Sequence, residues 1–279
     1  MFDLSIIIVT YNNLKYTKEC IIELKKYSKS SYEIIMVDNN STDGTVDYIK
    51  SVTEKYILND KNEGFAKAVN KGLALSDSKY ICLLNNDVLV YNNWDVELIN
   101  KFEVFSREYK VGAIAPIGRG IGNKQDYVTF FGEHGFHFPY TDNYYIFNEG
   151  NKIYRHDNYV EAKFLSGCCF FMETKLLKEL KGLDEGCVCG ADDADLSLTL
   201  RTKGYKLFVI DDVFVYHYNH KTFEQLTHEE ELGLNEKSWD YFCWKWAYLD
   251  VSVDTMLYNE VKFYYDGINK RKGYIEEVN

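Results

Sequence analysis

At 279 residues the chain is long enough to bury a substantial core, as one large domain or one domain with an appendage. Its 32 Lys and Arg stand against 43 Asp and Glu, a net charge of −11 that repels a phosphate backbone and anionic headgroups alike, so no nucleic-acid partner is expected. No apolar run approaches the ~20 residues that span a bilayer, and the N-terminus lacks the basic segment and cleavage pattern of a signal peptide, which predicts a cytoplasmic protein without a transmembrane segment. The seven cysteines are odd in number, and neighbouring Cys168 and Cys169 point to opposite faces of a strand, so no disulfide framework is expected. Cys187 and Cys189 lack a second pair at zinc spacing and read as small buried residues.

Leu4 to Val9 is a β-branched run of strand length, followed by the polar loop Thr10-Tyr11-Asn12-Asn13 and by Leu14, Ile21 and Leu24 at helical spacing. The unit repeats with the strand Glu33 to Val37, the loop Asp38 to Gly44, and a helix carrying Val46, Ile49 and Val52. It repeats again with Tyr56 to Leu58, the loop Asn59 to Gly64, and a helix burying Phe65, Ala68, Val69, Gly72 and Leu73. Tyr80 to Leu84 is the fourth strand. Apolar strands separated by amphipathic helices predict an α/β fold, a parallel-dominated sheet covered on both faces, with ligands outside the carboxyl ends of the strands. Asn85-Asn86-Asp87 falls at that edge with the first two loops.

From Trp94 a helix carries Leu98, Phe102 and Phe105 to the strand Val111 to Ile117. Residues 118 to 160 are rich in Gly, Tyr, Phe and His without a period, and aromatics at 127 to 147 suit either core packing or stacking on sugar rings. Phe164 to Met172 reads as a strand and Thr174 to Leu180 as a short helix ending at Gly182. Asp193 to Lys203 reads as a helix stopped by Gly204. Tyr205 to Ile210 and Val213 to Tyr216 are strand-like and end at His217. After Lys221 the pattern is helical, with Trp239, Phe242, Trp246 and Leu249 on one face. The expected division is a main domain over 1–220 and a C-terminal helical extension over 221–279.

Seven stretches, SIIIVTYNN (5–13), VDNNSTDGT (37–45), NEGFAKAVNKGL (62–73), LLNNDV (83–88), FLSGCCFFM (164–172), GLDE (182–185) and DDADLSLTLRTKGYKL (192–207), resemble in order and spacing the inverting glycosyltransferases of family 2, of GT-A fold, including bacterial polysaccharide and rhamnosyltransferase members. The resemblance covers roughly residues 3 to 218. It implies a nucleoside-diphosphate sugar donor, UDP- or dTDP-linked, and a glycan or lipid-linked glycan acceptor in surface polysaccharide or glycan synthesis.

By the same resemblance, Thr10, Tyr11 and Asn12 lie beside the nucleoside and Asp38 accepts from a uracil or thymine ring N–H, although Asp38 to Gly44 also suits a capped turn. Asn62, Gly64 and Lys67 lie near the diphosphate or nucleoside, where helix-start N–H groups favour an anion; a solvated lysine is the competing reading of Lys67. Asn85-Asn86-Asp87 stands where the family carries an Asp-x-Asp metal motif, with an amide for the first carboxylate. Asp87 supplies a hard oxygen for Mn²⁺ or Mg²⁺, and His217 stands where several members carry a metal-binding histidine. Asp193 matches the general base and Asp192 replaces the usual Glu before it; adjacent carboxylates raise one another's pKa, while simple helix capping accounts for the same position. Asp195 completes that cap or orients Arg201. At Ser166-Gly167-Cys168 a small residue lets sugar and backbone approach.

Two competitors differ in class. A sugar nucleotidyltransferase needs a Gly- and Arg-rich triphosphate loop after the first strand, which Thr10 to Asn13 lacks, and a binding-only protein gains weight from Asn85. The C-terminal aromatic face docks on the main domain, pairs subunits, or touches the inner face of a membrane.

Overall fold

The computed structural model describes residues 2–119, 121, 159–188, 190–219, 221, 228–249, 252–258, 261–265 and 271–275. The aromatics expected at 127 to 147, and Cys189, lie outside them. The first half runs β1 (Leu4–Thr10), α1 (Leu14–Tyr27), β2 (Tyr32–Asp38), α2 (Thr45–Val52), β3 (Tyr56–Leu58), α3 (Phe65–Ala74), β4 (Tyr80–Asn85), β5 (Val88–Val90), α4 (Trp94–Phe105) and β6 (Val111–Arg119). The second runs β7 (Tyr159–Ala162), β8 (Cys169–Glu173), α5 (Thr174–Glu179), α6 (Asp192–Thr202), β9 (Lys206–His217), α7 (His228–Trp246), a 3₁₀ turn (Ala247–Leu249), α8 (Val253–Tyr258), β10 (Val261–Tyr265) and β11 (Arg271–Ile275).

Alternation along β1 explains the layering. Leu4, Ile6 and Ile8 enter a core with Cys20, Ile21 and Leu24 of α1 and Leu98 and Phe102 of α4. Ile7 and Val9 enter the opposite core with Val69 and Leu73 of α3, Leu177 of α5, and Leu196 and Leu200 of α6. A strand buried at every position is thus covered on both faces, at roughly 1.5–3 kcal/mol for each large apolar side chain removed from water.

The strand order is β3-β2-β1-β4-β8-β6-β9-β5, with β7 paired to β9. The β3-β2-β1-β4 half is parallel throughout, as the sequence predicts. The other half is mixed: β8 runs antiparallel to both β4 and β6, and β5 and β7 run antiparallel to β9, whereas β6 and β9 are parallel. This matters for the site. An antiparallel strand beside β4 brings its beginning, not its end, to the ligand edge, so Gly167 and Cys168 lie next to the end of β4.

Three element boundaries differ from expectation. The strand predicted from Phe164 starts at Cys169, because the preceding residues turn away to meet α6. The two strands predicted between Tyr205 and Tyr216 are one, β9, whose irregularity is absorbed as a register shift against Pro116 and Ile117. Val88–Val90, given no element in the sequence reading, forms a short strand paired with β9. Gly204, at φ +77°, ends α6 as predicted, its N–H donating to Arg201 O at 2.9 Å.

The C-terminal aromatic face docks. Phe242, Trp246 and Leu249 are buried with Cys187, Ala191, Ala194 and Leu198, so α6 is covered on one side by the sheet and on the other by α7. The C-terminal segment also contains the antiparallel pair β10 and β11, beyond the helices expected there. Among the described cysteines, Cys20, Cys82, Cys168, Cys169 and Cys187 are buried thiols, and Cys243 on α7 is exposed.

Candidate active site

Register places the ends of three strands side by side: Thr10 pairs with Asp38, and Val9 with Asn85. Thr10 and Asp38 are fully buried there. Asp38 accepts from Thr10 Oγ1 at 2.9 Å, Ser41 N at 2.8 Å and Ser41 Oγ at 2.5 Å. A carboxylate has room for about four such bonds, which leaves one lone pair for a further donor. Asn12 and Asn13 take left-handed backbone conformations, φ 54° and 64°, which short polar side chains tolerate. The N–H of Asn12 donates to Ser41 Oγ at 2.6 Å, and its Oδ1 accepts from Thr42 N at 2.8 Å. Tyr11 is half-buried beside them. Asp43 accepts from Leu14 N at 2.8 Å and Thr45 Oγ1 at 2.6 Å, so it ties together the starts of α1 and α2.

Sequence reasoning passed over Asn39, which is 3% exposed and joins the second loop to the third. Its Oδ1 accepts from Asn59 Nδ2 at 2.9 Å and Glu63 N at 3.4 Å, and its Nδ2 donates to Gly64 O at 3.1 Å. Asn62 is exposed and its Oδ1 accepts from Gly64 N at 3.0 Å. Gly64 has φ +85°, and a Cβ there would lie 2.6 Å from Val188 O. Lys67 pairs with Glu63 at 3.1 Å, and Lys71 pairs with the same carboxylate.

The turn after β4 splits its three polar residues. Asn86 does not face the ligand edge as expected: it is buried, and its Nδ2 donates to Thr17 Oγ1 of α1 at 2.9 Å, which anchors the turn. Asp87 faces the other way. Pairing of Val88 with His217 brings the imidazole Nε2 to 3.1 Å from Asp87 Oδ1. Asn85 Nδ2 lies 3.3 Å from the same nitrogen, and Tyr218 N donates to Asp87 O at 3.0 Å.

Among the described residues no group of three or more His, Cys, Asp or Glu side chains is placed to hold a metal. The donor set is instead one carboxylate, one imidazole and one amide. Asp87 Oδ1 and the unprotonated face of Nε2 are both electron-rich, and at 3.1 Å they need a proton or a cation between them. Asn85 can present its oxygen by an amide flip. Oxygen and imidazole donors this close suit a divalent ion such as Mn²⁺.

The second acidic centre opens α6. Gly190 and Ala191 lead in with φ +74° and +62°. Asp193 Oδ2 accepts from Gly167 N, and its Oδ1 from Ala194 N, both at 2.8 Å. Burial pushes the Asp193 carboxyl up, and those two N–H groups oppose the shift. Asp192 is 7% exposed and is pushed up to about 8, first by desolvation and then by the charge of Asp193. Burial raises both carboxyls and each charge disfavours the other, so the pair takes up a proton more readily than an isolated carboxylate would. The two centres are linked through the start of β8, since Asn85 N donates to Cys168 O at 3.0 Å and Gly167 N to Asp193.

Asp195 neither caps α6 nor turns to Arg201. Its oxygens accept from Trp246 Nε1 and Lys245 Nζ of α7, each at 2.8 Å. Arg201 donates instead to the carbonyls of Lys163 and Met256.

A half-parallel sheet whose strand ends converge on two acidic centres is the GT-A architecture of glycosyltransferases. The structure of GalNAc-T7 with UDP, GalNAc and Mn²⁺ matches this fold with a TM-score of 0.57 at 17% identity, covering 78% of this chain and 44% of that one. The family model described as glycosyl transferase family 2 matches residues 5–181, more than half of the sequence, and the chain belongs to that family. Glycosyltransferase GlyG of Streptococcus pneumoniae serotype 4 is 27% identical over 131 residues, 45% of this chain and 44% of GlyG. The dolichyl N-acetyl-alpha-D-glucosaminyl phosphate 3-beta-D-2,3-diacetamido-2,3-dideoxy-beta-D-glucuronosyltransferase of Methanococcus voltae is 25% identical over 228 residues, 77% of this chain and 66% of that protein. The chain thus spans less than half the length of GlyG and of GalNAc-T7. No helix among the described residues is long and apolar enough to cross a membrane.

Proposed function

We propose that the chain transfers a sugar from a nucleoside-diphosphate donor, UDP- or dTDP-linked, to an acceptor hydroxyl with inversion at the anomeric carbon. The observation that carries this reading is the pair of centres joined through Gly167 and Cys168: an Asp87–His217 pair at 3.1 Å and an Asp193 carboxyl held by the N–H groups of Gly167 and Ala194 beside the buried Asp192.

In this reading Thr10, Tyr11, Asn12 and Asp38 hold the nucleoside, the last remaining lone pair of Asp38 accepting the ring N–H of a pyrimidine. Asn62, Gly64 and Lys67 border the diphosphate. Asp87, His217 and Asn85 hold a divalent ion, Mn²⁺ or Mg²⁺, which neutralises charge on the departing diphosphate. Asp193 takes the proton of the acceptor hydroxyl on a carboxylate lone pair that the two N–H donors leave open. The hydroxyl oxygen attacks the anomeric carbon as the nucleoside diphosphate leaves, and the Asp192 proton lowers the local negative charge. The presence of UDP and Mn²⁺ in GalNAc-T7 supports the donor and the ion. A glycan or lipid-linked glycan is the proposed acceptor, supported by the dolichyl phosphate in the name of the Methanococcus relative. We read 221–279 as an appendage packed on the domain 1–220.

The test is a panel of UDP-, dTDP- and GDP-sugars incubated with and without Mn²⁺. Release of free nucleoside diphosphate supports transfer chemistry, and pyrophosphate release would mean a nucleotidyltransferase instead. No consumption, with no nucleotide raising the melting temperature, would sink the proposal.

A further inference from the structure

α6 begins without a cap of its own. Its N-cap Ala191 is left-handed and offers no side-chain hydrogen bond, and its first turn holds three carboxylates, Asp192, Asp193 and Asp195. Among the described residues, only the third is tied down by a cation. Lys245 Nζ lies 2.7 Å from Asp184 Oδ2 and 2.7 Å from Asp195 Oδ1, bridging the loop before α6 to the end of its first turn. Trp246 Nε1 donates to Asp195 Oδ1 at 2.8 Å. The same helix α7 grips the loop further up. Tyr241 Oη donates to Asp184 at 3.1 Å, a Cβ on Gly186 would lie 2.2 Å from the Tyr241 ring, and one on Gly190 would lie 2.8 Å from Asn235 Oδ1. Asp195 is 3% exposed, so its charge needs this partner.

We propose that Lys245, with Trp246, is the positioning residue of the base: α7 holds the first turn of α6 and so fixes Asp193 against Gly167. This rests on the reading of Asp193 as the base. Neither residue touches the carboxylate that takes the proton. Both act through Asp195, and Lys245 also reaches Asp184 in the loop before α6. The C-terminal helix is by this account part of the working site, although it lies beyond the family match at 5–181.

Hydrogen exchange of the full chain tests the positioning without any substrate. In Lys245→Met and Trp246→Phe, exchange at 166–168 and 191–195 is expected to rise about tenfold or more while β1 to β4 stay protected. Turnover is read with UDP-GlcNAc and Mn²⁺, or with whichever donor the panel shows to be consumed. There kcat is expected to fall about tenfold with KM within about twofold, and Lys245→Arg to recover most of the loss. Wild-type exchange at those segments in Trp246→Phe, which removes the Nε1 donor and keeps an aromatic side chain, would overturn the proposal whatever the turnover. If the wild-type chain consumes no donor, the functional reading fails, and exchange alone still decides whether Lys245 and Trp246 hold the turn. Loss of KM rather than kcat would also overturn it.

Discussion

The backbone N–H of Gly167 points at Asp193 Oδ2 from 2.8 Å, and a Cβ on Gly167 would lie 3.3 Å from the Asp193 Cβ. Glycine is thus the residue that lets the strand start and the helix start approach. Gly167→Ala is expected to fold, to bind nucleotide as before, and to lower kcat about tenfold by shifting the carboxylate. Asp193→Asn offers one acceptor oxygen to two N–H donors, so it loses one of those hydrogen bonds together with the base, with an expected loss of about 10²–10⁴ in turnover. Isothermal titration with UDP and initial rates on the same preparations check both variants.

Asp192 sets a pH dependence of stability. Its folded pKa of about 8 lies above the ordinary value of about 3.9, so the folded chain holds a proton that the unfolded chain has released. Between about pH 4 and pH 8 this group makes stability fall as pH rises. Asp192→Asn removes that slope, and the variant is expected to melt roughly 5 °C or more above the wild type at pH 8 while matching it near pH 4. Melting curves from pH 4 to 9 measure the difference, and parallel profiles would show Asp192 to be ionised in the fold.

The proposed cation site needs both Asp87 and His217. Mn²⁺ with UDP is expected to stabilise the wild type by about 2.7 kcal/mol at a hundredfold excess over Kd. Asp87→Asn and His217→Ala should each lose most of that gain while keeping the melting temperature of the metal-free chain. A retained Mn²⁺ response in both variants would place the ion elsewhere.

Asn39 supports the third loop from beneath. Asn39→Leu strands the Asn59 amide and the Glu63 N–H and removes one of the two donors to the Gly64 carbonyl, which keeps Ala68 N. An unpaired buried polar group costs about 1–3 kcal/mol, and the expected loss in urea-monitored stability is at least that of one such group. UDP affinity should fall as well, since Gly64 and Asn62 belong to the same loop.

The repeating strand, loop and helix of residues 4–85 were legible because period and β-branching are local signals. That Asp87 and His217 stand at strand ends and Asp193 at a helix start was legible from the same pattern; the roles proposed for them come from the family resemblance. The direction of β8 was not, since an apolar strand reads alike in either orientation and only its neighbours decide. Val88–Val90 is short and follows a polar turn, so its pairing with β9, more than a hundred residues away, left no trace in its own sequence. Asn86 and Asn85 look equivalent in the chain, yet one turns to Thr17 and the other to His217. Asp195 reads as a cap until its partners on α7, fifty residues on, are known.

The distribution of thiols makes the C-terminal helix observable. Burial holds Cys20, Cys168 and Cys187 far above ordinary thiol pKa values, and the hydrogen bond with Cys82 together with burial does the same for Cys169, which leaves them poor nucleophiles toward alkylating reagents. Among the described cysteines Cys243 alone is exposed, two residues before Lys245 on the same helix. A maleimide fluorophore attached there without mutagenesis would sit beside the clamp on Asp195, and its emission would report whether α7 moves when a donor sugar arrives.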